Sequence, residues 1–212
     1  MNIRHLGDAL DHWKGNMFRW LGPALRDLHV VPMFTDAEPA TTWDEPTLLC
    51  FSQLLAVPAH RIMHADRRFR RATRTAYFEG LHSLSPACDI FFDPDNGIAP
   101  AGRANERHVT AAELAAFIPP ASDRLLLVYQ HSSRVKGYVR SKLEALSTVP
   151  ELHGVKCIGY WAGSAAMVLM TQSEPRIRDV RKIMASVPTE TGRVVIHDAP
   201  PSPQRTSPTS AQ

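Results

Sequence analysis

The chain has 212 residues, of which 44% are hydrophobic and 21% charged, and its formal net charge is +3. That balance suits a globular chain with one sizeable core and excludes low-complexity and collagen-like classes. The net charge is compatible with a polyanionic partner without defining one.

No apolar run approaches the ~20 residues needed to cross a bilayer, and the amino terminus lacks the apolar stretch of a leader. The expectation is a cytoplasmic protein with no membrane partner. Cys50, Cys88 and Cys157 are far apart and form no CxxC pair, so they read as buried free thiols rather than zinc ligands.

Residues 6–26 carry Leu6, Leu10, Trp13, Met17, Trp20, Leu21 and Leu25 at three- and four-residue steps, which predicts an amphipathic helix. Gly22-Pro23 should break or kink it. Residues 28–34 read as a first strand, with Pro32 arguing for an edge position or a bend. A loop over 37–46, a helix over 46–56 and a short strand near 61–63 follow. Residues 67–81 form a predicted basic helix.

Residues 88–92 are an apolar strand. Residues 97–108 read as a loop, and Thr110 with Glu113 forms a capping box before a helix to Ile118. A buried strand spans 124–129 and an amphipathic helix 134–147. Two strands, 155–160 and 164–171, are separated by a small-residue turn that predicts a hairpin. A helix at 175–185 and a strand at 194–196 complete the pattern. Residues 1–199 are expected to form a single domain, and the Pro/Ser/Thr-rich residues 200–212 a disordered tail. Alternating strands and helices predict an α/β fold: a doubly wound, mostly parallel Rossmann-like sheet with a C-terminal antiparallel hairpin.

The stretch Phe91-Phe92-Asp93-Pro94-Asp95-Asn96-Gly97 is the strongest functional signal. An apolar strand stops at two carboxylates and an amide, as a buried parallel strand does where its carboxyl end opens into a site. Asp93, Asp95 and Asn96 could hold an exocyclic amine or a divalent cation; the competing reading is a turn whose polar side chains bond their own backbone. Gln130-His131 leaves the next strand at the same edge, and His131 is a candidate general base or phosphate contact.

Six arginines fall within residues 61–74. On a helix, Arg67, Arg70, Arg71 and Arg74 would share one face, suited either to a phosphate backbone or simply to solvent.

Phe92-Asp93-Pro94-Asp95-Asn96 resembles the Asp-Pro-Pro-Tyr element of class I S-adenosylmethionine-dependent methyltransferases that act on adenine amino groups in ribosomal RNA. The similarity covers residues 6–35 and 86–172 and includes the first helix with Asp11-His12-Trp13-Lys14. It implies methyl transfer to a base amine, with Asp93, Asp95 and Asn96 at the target and His131 beside them. S-adenosylmethionine would lie near His12, Lys14, Thr35 and Asp36. The turn over 34–39 contains no glycine, so the cofactor would bind in an unusual way. Two alternatives stand beside this reading. One is a Mg2+-dependent nuclease or phosphodiesterase using Asp36, Asp93 and Asp95. The other is a catalytically silent binding or partner protein of the same fold.

Overall fold

The computed structural model describes residues 6–35, 44–99, 105–131, 137–163, 165–187 and 195–198. Asp36 and the expected tail lie outside these. Helix α1 spans Ala9–Leu21, and the Asp8 carboxylate caps it by accepting from the amides of Leu10 and Asp11. It ends in a 3-10 turn at Gly22–Ala24, with Pro23 unable to continue the ladder. Strand β1 is His29–Val31 and helix α2 is Glu45–Leu55. The strand expected near 61–63 is reduced to one parallel bridge between Ile62 and Val30.

The predicted basic helix over 67–81 is not formed as such. Helix α3 covers only Arg74–Glu79, preceded by a 3-10 turn at Arg71–Thr73, and Arg70 is extended. Phe69 explains the difference. Its ring is buried at 1% exposure, and its amide bonds the Phe34 carbonyl at 2.6 Å. Burying that ring beside the exit of β1 holds the backbone straight where the charge spacing alone suggested a helix.

Strand β2 is Ile90–Phe92. Within the region read as a loop, β3 (Gly97–Ile98) pairs in parallel with β4 (His108–Val109). Helix α4 is Ala111–Ala115 and carries the expected Thr110–Glu113 capping box. Strand β5 (Leu126–His131), helix α5 (Tyr138–Ser147), strands β6 (Lys156–Trp161) and β7 (Ala165–Thr171), helix α6 (Glu174–Ser186) and strand β8 (Val195–Asp198) follow.

The architecture is α/β. Among the described residues, six strands form one sheet in the order β1-β2-β5-β7-β6-β8. The first three are parallel, and the β5–β7, β7–β6 and β6–β8 pairs are antiparallel. The sheet is therefore mixed rather than mostly parallel. The turn around Gly163 is too short for a crossover, so β7 returns antiparallel, slotting between β6 and β5. β8 then pairs along the outer side of β6, so the β6–β7 pair is not the last element.

Strand alternation divides the core in two. Ile90, Phe92, Leu126 and Val128 face one side with Phe78, Leu114, Val139 and Leu143 of α3, α4 and α5. Phe91, Leu127 and Tyr129 face the other with Met17, Phe18, Phe51, Leu55 and Val180 of α1, α2 and α6. Helices thus cover both faces and leave the strand ends as the place for polar groups. Cys88 and Cys157 are buried as expected, whereas Cys50 is exposed on α2.

Helices α1 and α2 touch where Gly15 lies against the Leu54 carbonyl: a Cβ there would come within 1.9 Å of that oxygen. Gly15→Ala should therefore cost about 2–3 kcal/mol, lowering Tm by roughly 5–10 °C. Gly22→Ala, with nothing within 4 Å of its Cβ, should leave Tm unchanged in the same thermal unfolding experiment.

Candidate functional site

The carboxyl ends of β1, β2 and β5 lie side by side, and most of the polar residues singled out in the sequence meet there. The Asp93 amide bonds the Val31 carbonyl at 2.9 Å, so the residue after β2 stays in register with β1. Its carboxylate turns toward α1 and accepts from Lys14 Nζ at 2.7 Å, while Asp11, one turn earlier on α1, accepts from the same ammonium at 3.1 Å. Asp11, Lys14 and Asp93 are 2%, 4% and 1% exposed. The Asp11 carboxylate also accepts from the Gly7 amide at 2.9 Å. The ammonium lies 4.7 Å from the centre of the Tyr129 ring, a cation–π contact on its remaining side.

Burial works against the charge on Lys14. The Asp93 and Asp11 carboxylates outweigh it and raise the ammonium's pKa above its ordinary value. Burial pushes the Tyr129 phenol up to about 12, so it is a neutral donor at physiological pH. Its hydroxyl meets Nδ1 of the exposed His131 at 3.4 Å. Of the two α1 residues expected near a cofactor, Lys14 faces inward and His12 is exposed on the helix surface.

The next layer is closer to solvent. The Thr35 hydroxyl donates to Asp95, tying the exit of β1 to the exit of β2. The Asn96 amide bonds the Arg107 carbonyl at 2.9 Å, while its half-buried side chain makes no hydrogen bond among the described residues. Gln130, buried in β5, receives the Ile98 amide at 2.9 Å and donates to the Asn96 carbonyl and the Tyr138 hydroxyl, each at 2.8 Å. Gly97 makes this possible. It has a φ of 89°, and a Cβ would come within 2.4 Å of the Gln130 side chain.

The acidic set expected to bind Mg2+ is not assembled among the described residues. Asp36 lies outside them, Asp93 is engaged by Lys14, and no group of three or more His, Cys, Asp or Glu side chains is placed to hold a metal ion.

The arginines divide, which corrects the single basic face expected for Arg67, Arg70, Arg71 and Arg74. Arg74 is structural: its guanidinium forms a two-pronged ion pair with Glu113, donates to the His108 carbonyl at 2.9 Å, and lies 4.8 Å from the centre of the Phe69 ring. Arg61 pairs with Asp27. Arg67 and Arg70 instead line an open pocket of about 460 Å³ together with Arg68, Thr73, Ala76 and Tyr77. Arg71 is exposed on the adjoining turn. Helical spacing had put Arg68, Thr73 and Tyr77 on other faces, so the sequence did not group them with Arg67 and Arg70 around this pocket. The sequence cue that could have found them is Phe69, an apolar residue interrupting the basic run.

In comparisons with known proteins, no family model, no curated protein and no solved structure matches the chain.

Lys14→Met leaves two buried carboxylates without their cation and should cost about 3–5 kcal/mol in denaturant unfolding. The pH dependence separates charge from packing. Because the folded pKa of Lys14 is raised, its contribution is complete below the unfolded value of about 10.4 and is lost only as pH rises through the folded value. In the variant, the uncompensated buried carboxyl of Asp93 has a folded pKa above its unfolded value, so stability is regained as pH falls through it. The deficit of the variant should shrink as pH is lowered from neutral, because burial raises the Asp93 carboxyl; a constant deficit would mean that packing alone is lost.

Proposed function

We propose that this is a nucleic-acid-binding protein of the methyltransferase-like α/β type, which holds a polyanionic strand along the exit of β1. The single observation that carries this reading is the cluster of Arg67, Arg68 and Arg70 around one open pocket, with no carboxylate among its described lining residues. Arginine forks match phosphate oxygens in geometry as well as charge. Phe34 connects this cluster to the polar strand ends. The Arg68 guanidinium lies 5.6 Å from the Phe34 ring centre, and the next residue, Thr35, bonds Asp95. A strand on the arginines would therefore pass the side chains of Asp95 and Asn96.

Methyl transfer from S-adenosylmethionine to a base amine is the second reading. It is favoured by the order of elements from β2 to β7, which follows the resemblance noted in the sequence, and by the Asn96 amide at the mouth. Asp93 bears on which reading is stronger. Nearly inaccessible and neutralised by Lys14, it cannot accept a hydrogen bond from a substrate amine while that pair is closed. Binding is therefore the function the geometry supports best, and catalysis through Asp93 requires the pair to open. Asp95, Asn96 and His131 remain at the rim as groups that could touch a base.

The test is fluorescence anisotropy with a labelled single-stranded RNA over a salt series. Arg67→Ala with Arg70→Ala should weaken binding at least tenfold and reduce the slope of log K against log salt by about 1.4 for a single strand. Arg74→Ala should instead lower Tm, because it removes the partner of Glu113, and leave that slope unchanged. An unchanged slope in the double variant would sink the proposal. A calorimetric titration with S-adenosylmethionine decides the second reading: saturable binding supports methyl transfer, and no heat leaves binding alone.

A further inference from the structure

We infer that Thr73 is a phosphorylation site, and that its phosphoryl group closes the pocket at Arg67 and Arg70 to a nucleic-acid strand. The second half rests on the nucleic-acid reading of that pocket, and the first half does not.

The sequence supplies a recognition element. Arg70-Arg71-Ala72-Thr73 places two guanidiniums three and two residues before a hydroxyl, a charge pattern that fits the acidic substrate groove of an arginine-directed protein kinase. The fold leaves that element accessible. Arg70, Arg71, Ala72 and Thr73 are all exposed. Arg70 is extended, and Arg71–Thr73 is a short 3-10 turn ahead of α3. The Thr73 hydroxyl does not cap α3, so the helix does not depend on it. Arg61 and Arg74, at the two ends of the basic run, are held by Asp27 and Glu113, whereas Arg70 and Arg71 join no ion pair among the described residues. Thr75 is also exposed, but the arginine just before it, Arg74, is the one bound to Glu113.

The placement of Thr73 gives the modification a consequence. Thr73 lines the same open pocket of about 460 Å³ as Arg67 and Arg70. Arg67, like Arg70, is exposed and joins no ion pair among the described residues. Asp66 adjoins it in sequence and is exposed, but it is not among the described lining residues. In the reaction, Thr73 Oγ1 attacks the γ-phosphorus of ATP. The new O–P bond forms as the bond to the ADP oxygen breaks, and the hydroxyl proton passes to the base of the kinase. The product carries close to two negative charges and three acceptor oxygens at neutral pH, which suit the guanidinium forks of Arg67 and Arg70. The same two guanidiniums carry the phosphate contacts of a bound strand. A phosphate tethered to the pocket wall acts at a high effective concentration, so it displaces a strand that must come from solution.

The experiment incubates the full chain with an arginine-directed serine/threonine kinase and MgATP and maps the product by mass spectrometry. One phosphoryl group at Thr73 is expected, lost in Thr73→Val and kept in Thr75→Val. The modified chain should bind labelled single-stranded RNA roughly tenfold more weakly or worse, with a slope of log K against log salt smaller by about 1.4, since two phosphate contacts are gone. A phosphorus-31 titration reports the internal contact without RNA. The second pKa of the phosphothreonine should fall clearly below its ordinary value of about 6, because the arginines favour the dianion, and should return toward that value in Arg67→Ala. No incorporation at Thr73 overturns the inference. So does a modified chain that binds RNA like the parent, an outcome that leaves the nucleic-acid reading standing. If neither form binds RNA, the nucleic-acid reading fails and the titration decides the modification: a lowered second pKa that Arg67→Ala restores supports the contact, and an ordinary one overturns it.

Discussion

A lysine ammonium clasped by two carboxylates beneath α1 attaches that helix to the sheet. Each of the three charges would be expensive alone in the interior. Together, Lys14, Asp11 and Asp93 form a contact whose geometry leaves little freedom. Sliding α1 by one turn would separate Lys14 from Asp93 and leave both buried without a partner, so the pair fixes the register of the helix far more sharply than its apolar stripe does. Gly15 sets the second constraint one residue later. Where Lys14 reaches the sheet, Gly15 lets the α2 backbone close in. The two neighbours therefore specify the position of α1 against two different elements.

Strand β2 is only three residues long, yet buried aspartates bracket it. At its amino end, the Asp89 carboxylate accepts from the Leu125 amide at 2.8 Å, the Arg26 amide at 2.7 Å and the Arg176 guanidinium at 2.5 Å. That knot joins the approaches to β1 and β5 with α6. Arg124 closes the same end, donating to the carbonyls of Cys88 and Phe117 at 2.9 and 3.2 Å. At the carboxyl end, Asp93 binds Lys14, but the outer polar groups are only partly consumed among the described residues: there the Asn96 side chain makes no hydrogen bond, and His131 is exposed. The amino edge is thus committed to structure, and the carboxyl edge keeps spare hydrogen-bonding capacity. In a sheet covered by helices on both faces, that spare capacity is where a ligand can be held.

The elements with strong local signals were legible in the sequence. The Thr110–Glu113 box, the apolar steps of α1 and the exit of β2 at Asp93 depend on neighbours within a few positions. What escaped depends on contacts far along the chain. The Lys14–Asp93 pair spans 79 positions, so each residue could be nominated but their mutual neutralisation could not. The β3–β4 pair is two residues per strand, too short for any periodicity. The arginine run satisfied a helical template at four positions, and one buried phenylalanine overrode it. Cys50 belongs to an apolar run longer than the face that α2 buries; Leu49 beside it is 51% exposed. The return of β7 between β5 and β6, which makes the sheet mixed, follows from a short turn whose consequence for strand order no local pattern records.

The distribution of charge along the carboxyl edge decides what that edge can attract. Unpaired, Asp93 and Asp11 would repel a phosphate from the strand ends. Lys14 cancels much of that field, and because it is buried the cancellation is little screened by salt. Arg74 spends its charge on Glu113, which removes a cation from the surface and fastens α3 to the start of α4. Arg67, Arg68 and Arg70 lie together at the exit of β1, where Phe69 has straightened the chain and placed them around one pocket. The interior ion cluster and the surface arginines are therefore parts of one arrangement. The first neutralises Asp11 and Asp93 beneath α1, and the second gathers guanidinium groups beside the exit of β1.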